Sequence, residues 1–273
     1  MAEDVAKEKN EGRLMFGGMA RWDGLDLFGP HYTSIGYRRK GEIHVKIEPP
    51  ALRKPTNPTV QRVSRWPIIR SFFLWGRVFA QVFGSVWSLL FFVATLALLW
   101  LFVRLMQLGS GAETFGGVFA FFAEFPILPM LLIFFAAMRF TPIGRYHGAE
   151  HKVVAAYEKY GEVTLQNARN SSRIHPRCGT NILLYIMLAA LLDPLIAWWG
   201  YAIVQFILIS EAWFIFGKTR PSIAVGNFLQ RYLTTTEPRR SQLEVAVQAI
   251  NRLLRAEEER GIDEAAVSVK ARY

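Results

Sequence analysis

The chain reads as an α-helical membrane protein with about four transmembrane helices, cytoplasmic extensions and a small N-terminal β-hairpin domain. Three observations lead there. The 273 residues are 52% hydrophobic and 14% aromatic, and the apolar residues are gathered in long blocks. Basic residues alternate with those blocks: Lys and Arg number 13 in residues 1–70, 2 in 71–138, 7 in 139–179 and 10 in 218–273. The stretches 108–114 and 191–200 hold none, which is a positive-inside pattern. Finally, residues 42–48 alternate apolar and polar side chains as a half-exposed strand does.

The elements follow in order. Residues 1–12 are polar and read as disordered. Residues 13–60 form a cytoplasmic β-containing segment. Within it, 32–48 is a hairpin turning at Arg39-Lys40-Gly41, and prolines 49, 50, 55 and 58 make a linker. A membrane domain is predicted over 66–217, with spans near 82–104, 118–140, 180–192 and 196–217. The apolar run 82–103 is long enough for a hydrocarbon layer of ~30 Å. Pro126 and Pro129 imply a kink or a late start in the second span. Asp193-Pro194 divides the last apolar block into two helices.

A cytoplasmic loop, 141–179, separates the second and third spans. Its residues 143–160 read as a helix closed by Gly161. The tail, 218–273, reads as cytoplasmic amphipathic helices. Pro221 opens the first. Leu243, Val247, Ile250 and Leu254 line one face of a helix over about 239–259, where Ser241 and Glu244 have capping-box spacing. Residues 1–13 lack an apolar targeting core, so the first span is expected to direct insertion into the bacterial inner membrane. Both termini are then cytoplasmic.

Net charge is +10 and the sequence pI is about 9.9. No RNP-like or zinc-finger spacing accompanies that charge, so no nucleic-acid partner is expected. Membrane lipid and other membrane proteins are the expected partners. Cys178 is the single cysteine, so no intrachain disulfide can form.

The chemistry concentrates in His147-Gly148-Ala149-Glu150-His151. On a helix, His147 and His151 project from one face, one turn apart, and two such imidazoles can share a metal. The order His-x-x-Glu-His is that of the inverzincin metallopeptidases, in which the Glu is the general base. Glu150 is therefore the candidate catalytic residue. His175 and Cys178, two residues apart, are further candidate ligands. So is Glu211, an ionisable residue within an apolar helix. The bland alternatives are a polar hub of hydrogen bonds for the histidines, a buried filler for Cys178 and an interhelical hydrogen bond for Glu211. His31 and His44 read as surface or hairpin residues. Gly17-Gly18 lacks the strand–turn–helix context of a dinucleotide loop, and Trp198-Trp199 reads as an aromatic anchor.

Several blocks resemble, in order, the YqhQ-like multi-pass membrane proteins, a domain of unknown function. They are Gly17-Gly18-Met19-Ala20, Tyr146-His147-Gly148-Ala149-Glu150-His151-Lys152, His175-Pro176-Arg177-Cys178-Gly179-Thr180, and Leu233-Thr234-Thr235-Thr236-Glu237-Pro238 followed by Gln242-Leu243-Glu244-Val245-Ala246. The likeness covers roughly residues 14–255. That family is sometimes labelled a metal-dependent enzyme, which the resemblance carries to the same His, Glu and Cys residues. One departure is visible: after the Gly-Gly block the family has Glu where this chain has Asp23.

The expected function is a metal-dependent membrane hydrolase at the cytoplasmic leaflet. A divalent metal, Zn²⁺ foremost, would be held by His147, His151 and one or more of His175, Cys178 and Glu211, with Glu150 activating water. The alternative is a non-enzymatic assembly, chaperone or protease-partner factor built on a structural metal or polar hub. Ligand count discriminates the two, because structural zinc sites are closed by four protein ligands and catalytic ones keep a position open.

Overall fold

The alternation in residues 42–48 does produce a strand, but as one of four. The computed structural model describes residues 14–50, 57–82, 90, 94, 127–190 and 201–270. Strands β1 (Gly17–Ala20), β2 (Gly24–Phe28), β3 (Thr33–Arg39) and β4 (Glu42–Glu48) form an antiparallel meander in that order. Lys40 and Gly41 turn β3 into β4 with φ of 51° and 88°, the two positive values that a tight two-residue hairpin requires. Strands β1 and β2 go beyond the expected hairpin, because glycines at 17, 18 and 24 dilute their period-two signal.

The helices are α1 (Pro58–Val63), α2 (Ile69–Val82), α3 (Ile127–Phe140), α4 (Pro142–Tyr160), α5 (Leu165–Arg169), α6 (Leu183–Ala190), α7 (Tyr201–Phe216), α8 (Arg220–Leu229) and α9 (Arg240–Lys270). A 3-10 turn at Gly179–Ile182 leads into α6 and a π turn at Gln230–Thr234 follows α8. These elements divide into two compact units.

Unit one comprises Met1–Arg53, Phe135–Cys178 and Asn227–Tyr273. One face of its sheet is covered by α4 and α9. Leu25 and Leu27 from β2, Ala149 and Val153 from α4, and Val245, Ala246, Ala249, Ile250 and Leu253 from α9 are all fully buried. Each large member contributes roughly 1.5–3 kcal/mol by leaving water. Helix α9 reaches the sheet closely where β3 has no side chain: a Cβ on Gly36 would lie 2.8 Å from the Ala249 Cβ. Beside it the Ser34 hydroxyl donates to the Ala249 carbonyl at 2.9 Å. The expected helix 239–259 is thus longer. The side chain that folds back on its start is Gln242, whose Oε1 accepts the Arg239 N–H at 2.9 Å; Glu244 pairs with Arg38 and Arg240 instead.

Helix α4 follows its sequence signals. The Thr141 hydroxyl accepts the Ile143 N–H, Pro142 fills the first turn, and Gly161 closes the helix at φ 81°. Its glycines admit neighbouring backbone. A Cβ on Gly148 would lie 2.2 Å from the Thr236 carbonyl oxygen, and one on Gly144 would lie 1.8 Å from that of Met138. The Thr236 N–H donates to the Gly144 carbonyl at 2.8 Å. The segment after the π turn is therefore seated directly on α4.

Unit two comprises Lys54–Phe134 and Gly179–Gly226. Its best-defined polar contact joins α2 to α7. Arg70 forms a two-toothed ion pair with Glu211, which also accepts from the Ser71 hydroxyl at 2.8 Å and the Ile68 N–H at 3.0 Å. Trp75 and Phe206 pack with ring centres 4.3 Å apart. Tyr185 donates to Ser222 at 2.9 Å. Many apolar side chains, among them Phe72, Leu132, Ile133, Leu208, Ile215 and Phe216, remain exposed.

The four-span expectation is corrected here: among the described residues no helix is long and apolar enough to cross a membrane. Helix α3 has 14 residues, α6 has 8 and α7 has 16. At 1.5 Å per residue their described residues cover about 21, 12 and 24 Å, against a ~30 Å core. Apolar content alone does not measure continuous helix length. The expected multi-pass topology, inner-membrane location and cytoplasmic termini rested on those spans and are corrected with them. Apart from Val82 and residues 90 and 94, the expected first span lies outside the described residues. So do 118–126 of the second, the boundary at 191–200 with Trp198-Trp199, and the tail 1–12.

Two outcomes follow from this packing. Gly148→Ala should cost about 1–3 kcal/mol, the usual penalty of overpacking, read as a lowered midpoint in denaturant; a wild-type midpoint would mean that residue 236 does not rest on α4. The second concerns acid. Bonding to Arg70 holds the Glu211 carboxyl at about 2, below its ordinary 4.5. A carboxyl depressed in the folded state stabilises above its unfolded value and loses that contribution as pH falls. Unit two should therefore lose on the order of 1–2 kcal/mol, allowing for solvent screening, between about pH 4.5 and pH 2. Glu211→Gln should flatten that acid limb; an unchanged limb would remove the ion pair from the account.

Candidate metal centre

Helix α4 sets the first two donors. Residues four apart share a helix face, and the His147 and His151 rings stand 4.4 Å apart, centre to centre. Both are buried, at 6% and 4% exposure. A buried imidazole needs partners for its nitrogens. His147 Nδ1 lies 2.8 Å from the Thr234 carbonyl oxygen, and His151 Nδ1 lies 2.7 Å from that of Arg173. A carbonyl only accepts, so both Nδ1 atoms carry the proton. The Nε2 atom of each neutral ring then keeps its lone pair for a ligand.

The third donor arrives from the polar connection. After α5, the chain turns at His175-Pro176-Arg177-Cys178, where the Cys178 N–H donates to the His175 carbonyl at 3.2 Å. This brings the Cys178 sulfur within 3.4 Å of His147 Nε2. One donor atom from each of His147, His151 and Cys178 lies within 4.8 Å of the others, and all three residues are buried. This group can hold a metal ion. Two imidazoles and a thiol suit a borderline-soft divalent cation.

His175 is brought close but not into the group. Its ring centre is 5.9 Å from that of His151. Its Nε2 donates to Glu158 at 3.0 Å, and its Nδ1 accepts the Arg177 N–H at 3.3 Å. Both nitrogens are thus used. Arg177 also pairs with Glu158. Burial pushes the Glu158 carboxyl up, but bonding to His175 and the charges of His175 and Arg177 outweigh it and hold it below its ordinary value. Glu211 is not in the group either: it belongs to unit two, where its carboxylate serves Arg70, Ser71 and Ile68.

Glu150 lies on the flank of the histidine stripe, turned toward the sheet. A Cβ on Gly18 would lie 2.6 Å from its Cδ and 2.7 Å from its Oε1, so β1 gives up a side chain to admit it. Desolvation pushes the Glu150 carboxyl above its ordinary range, while the charges of His147 and His175 pull against it. Beside the site, Lys152 is buried and donates to the carbonyls of Arg169 and Ser171, both at 3.0 Å, and pairs with Glu237 at 2.9 Å.

The structure thus assembles His147, His151 and Cys178, keeps Glu150 on the same helix with its carboxylate against β1, and leaves His175 beside them in a supporting place. The residues not singled out from sequence as parts of the site are Glu158, Arg173 and the segment 230–235. Glu158 lies eleven residues after His147, about three helical turns on, and so on the same face of α4. Arg173 and Thr234 orient the imidazoles through backbone carbonyls, which carry no side-chain signature, and Gln230 acts through its side-chain amide.

Comparison with known proteins covers the same region. The family described as "Protein of unknown function (DUF1385)" matches residues 71–210, a stretch that includes all three donors and Glu150. "Uncharacterized protein YqhQ" of Bacillus subtilis (strain 168) is 36% identical over 152 residues, 48% of this chain and 47% of that protein. The chain thus matches about half the length of that curated relative. No solved structure matches the chain. The family match spans half of the sequence and agrees with the motif resemblance: the chain belongs to the DUF1385 family.

Proposed function

We propose that the protein is a zinc-dependent hydrolase, with His147, His151 and Cys178 holding the ion and Glu150 acting as general base. The arrangement of donors carries this reading. Three donors converge, and no fourth His, Cys, Asp or Glu joins them among the described residues. Three protein ligands with room for solvent is the pattern of catalytic zinc sites; four is that of structural ones. When bound, the ion supplies Lewis acidity, lowering the pKa of water and polarising a carbonyl or phosphoryl oxygen.

The chain's own residues do the rest. The Thr234 and Arg173 carbonyls keep both imidazoles in the ligating tautomer. Glu150 is adjacent in sequence to His151, and its carboxylate makes no hydrogen bond among the described residues, so its oxygens are available to take a proton from the attacking water. That proton passes to the leaving group as the scissile bond breaks.

The test is made on the purified full chain and in a deletion strain. Metal analysis by mass spectrometry should find about one zinc per chain, lost in His147→Ala and kept in Glu150→Gln. Glu150→Gln should reach normal abundance yet fail to rescue the strain, because removing a general base costs about 10²–10⁴-fold in rate. Rescue by Glu150→Gln at normal abundance would sink the catalytic reading and favour a structural or assembly role.

A further inference from the structure

All three donors depend on one short stretch that none of them belongs to. The π turn at Gln230–Thr234 closes with the Thr235 N–H donating to the Gln230 carbonyl at 3.0 Å, a bond across five residues. The Thr235 hydroxyl donates to the same oxygen at 2.7 Å. The widened turn is tied to the site in three ways. The Thr234 carbonyl takes the His147 Nδ1–H. The Arg231 and Thr235 carbonyls take the Arg173 guanidinium at 2.9–3.2 Å, while the backbone carbonyl of Arg173 takes the His151 Nδ1–H. The Gln230 side chain, itself fully buried, grips the backbone of His175 from both sides: Oε1 accepts its N–H at 2.8 Å and Nε2 donates to its carbonyl at 3.0 Å. That same His175 carbonyl accepts the Cys178 N–H.

We infer that the π turn is the positioning element of the metal centre, and that Gln230 is the residue that sets the Cys178 thiol against the two imidazoles. An amide suits the task because it pairs with a peptide group as a neighbouring strand would, donor to acceptor and acceptor to donor. A leucine of similar size fills the space and pairs with neither. Loss of the grip frees the His175–Cys178 turn, while the histidines stay on α4 with their own carbonyls. The consequence is selective: Gln230 governs the sulfur ligand more than the nitrogen ligands.

This inference rests on the reading of His147, His151 and Cys178 as a metal site, and cobalt(II) tests the two separately. Cobalt bound by a thiolate gives a sulfur-to-metal charge-transfer absorption, distinct from the weaker ligand-field bands that imidazoles also produce. The metal-free full-length wild type, titrated with cobalt, should show both. Gln230→Leu should lose most of the charge-transfer intensity, keep ligand-field absorption and bind cobalt about 10–100-fold more weakly, the usual cost of removing an outer partner. Gln230→Glu keeps the acceptor for His175 N–H and loses the donor, so it should fall between; its spectrum decides the matter if Gln230→Leu does not fold. A folded Gln230 variant with the wild-type charge-transfer band and affinity would overturn the positioning role while leaving the metal site standing. A wild type that binds no cobalt would overturn the metal reading and this inference with it.

Discussion

The Nδ1–H groups of two buried imidazoles must each find an acceptor inside the protein, and unit one is organised around that requirement. Helix carbonyls are already committed to their own ladder. The acceptors therefore come from places where regular helix stops: Arg173, in the connection after α5, and Thr234, at the end of the π turn. Meeting the requirement fixes which nitrogen of each ring faces the common point with Cys178. It also couples three stretches of chain that are far apart in sequence.

Close packing makes the coupling possible. Gly144 and Gly148 let residue 236 lie on α4, and Gly36 lets α9 lie on β3. Gly18 leaves β1 open over Glu150. A carboxyl buried in this way is costly to ionise without partners, and desolvation holds it above the ordinary carboxylate range. The sheet thus does more for the site than support it, since one of its strands shapes the surroundings of the proposed base.

Much of the local structure was legible in the residues. Gly161 marked the end of α4, Arg39-Lys40-Gly41 marked a hairpin turn, and Leu243 and Ile250 marked the buried face of α9. The His-x-x-Glu-His spacing placed both imidazoles on one face. Two expectations failed for a common reason. Long apolar composition was read as continuous spanning helix, and within the expected β-containing segment only the hairpin 32–48 was specified, whereas β1 and β2 extend it. Composition averages over a window, whereas helix length and strand pairing are set by particular caps, breaks and partners.

By itself, the sequence determined the helix that carries His147 and His151, the identity of the sulfur donor and the flanking place of Glu150, because helical periodicity and local caps act over a few residues. Only the tertiary structure decided among Cys178, His175 and Glu211. Cys178 joins the histidines, His175 spends its nitrogens on Glu158 and Arg177, and Glu211 belongs to Arg70 in the other unit. Only the fold, too, could show that carbonyls of Arg173 and Thr234 orient the rings. Every residue carries a carbonyl, and which of them points at an imidazole depends on where distant segments end their regular hydrogen bonding.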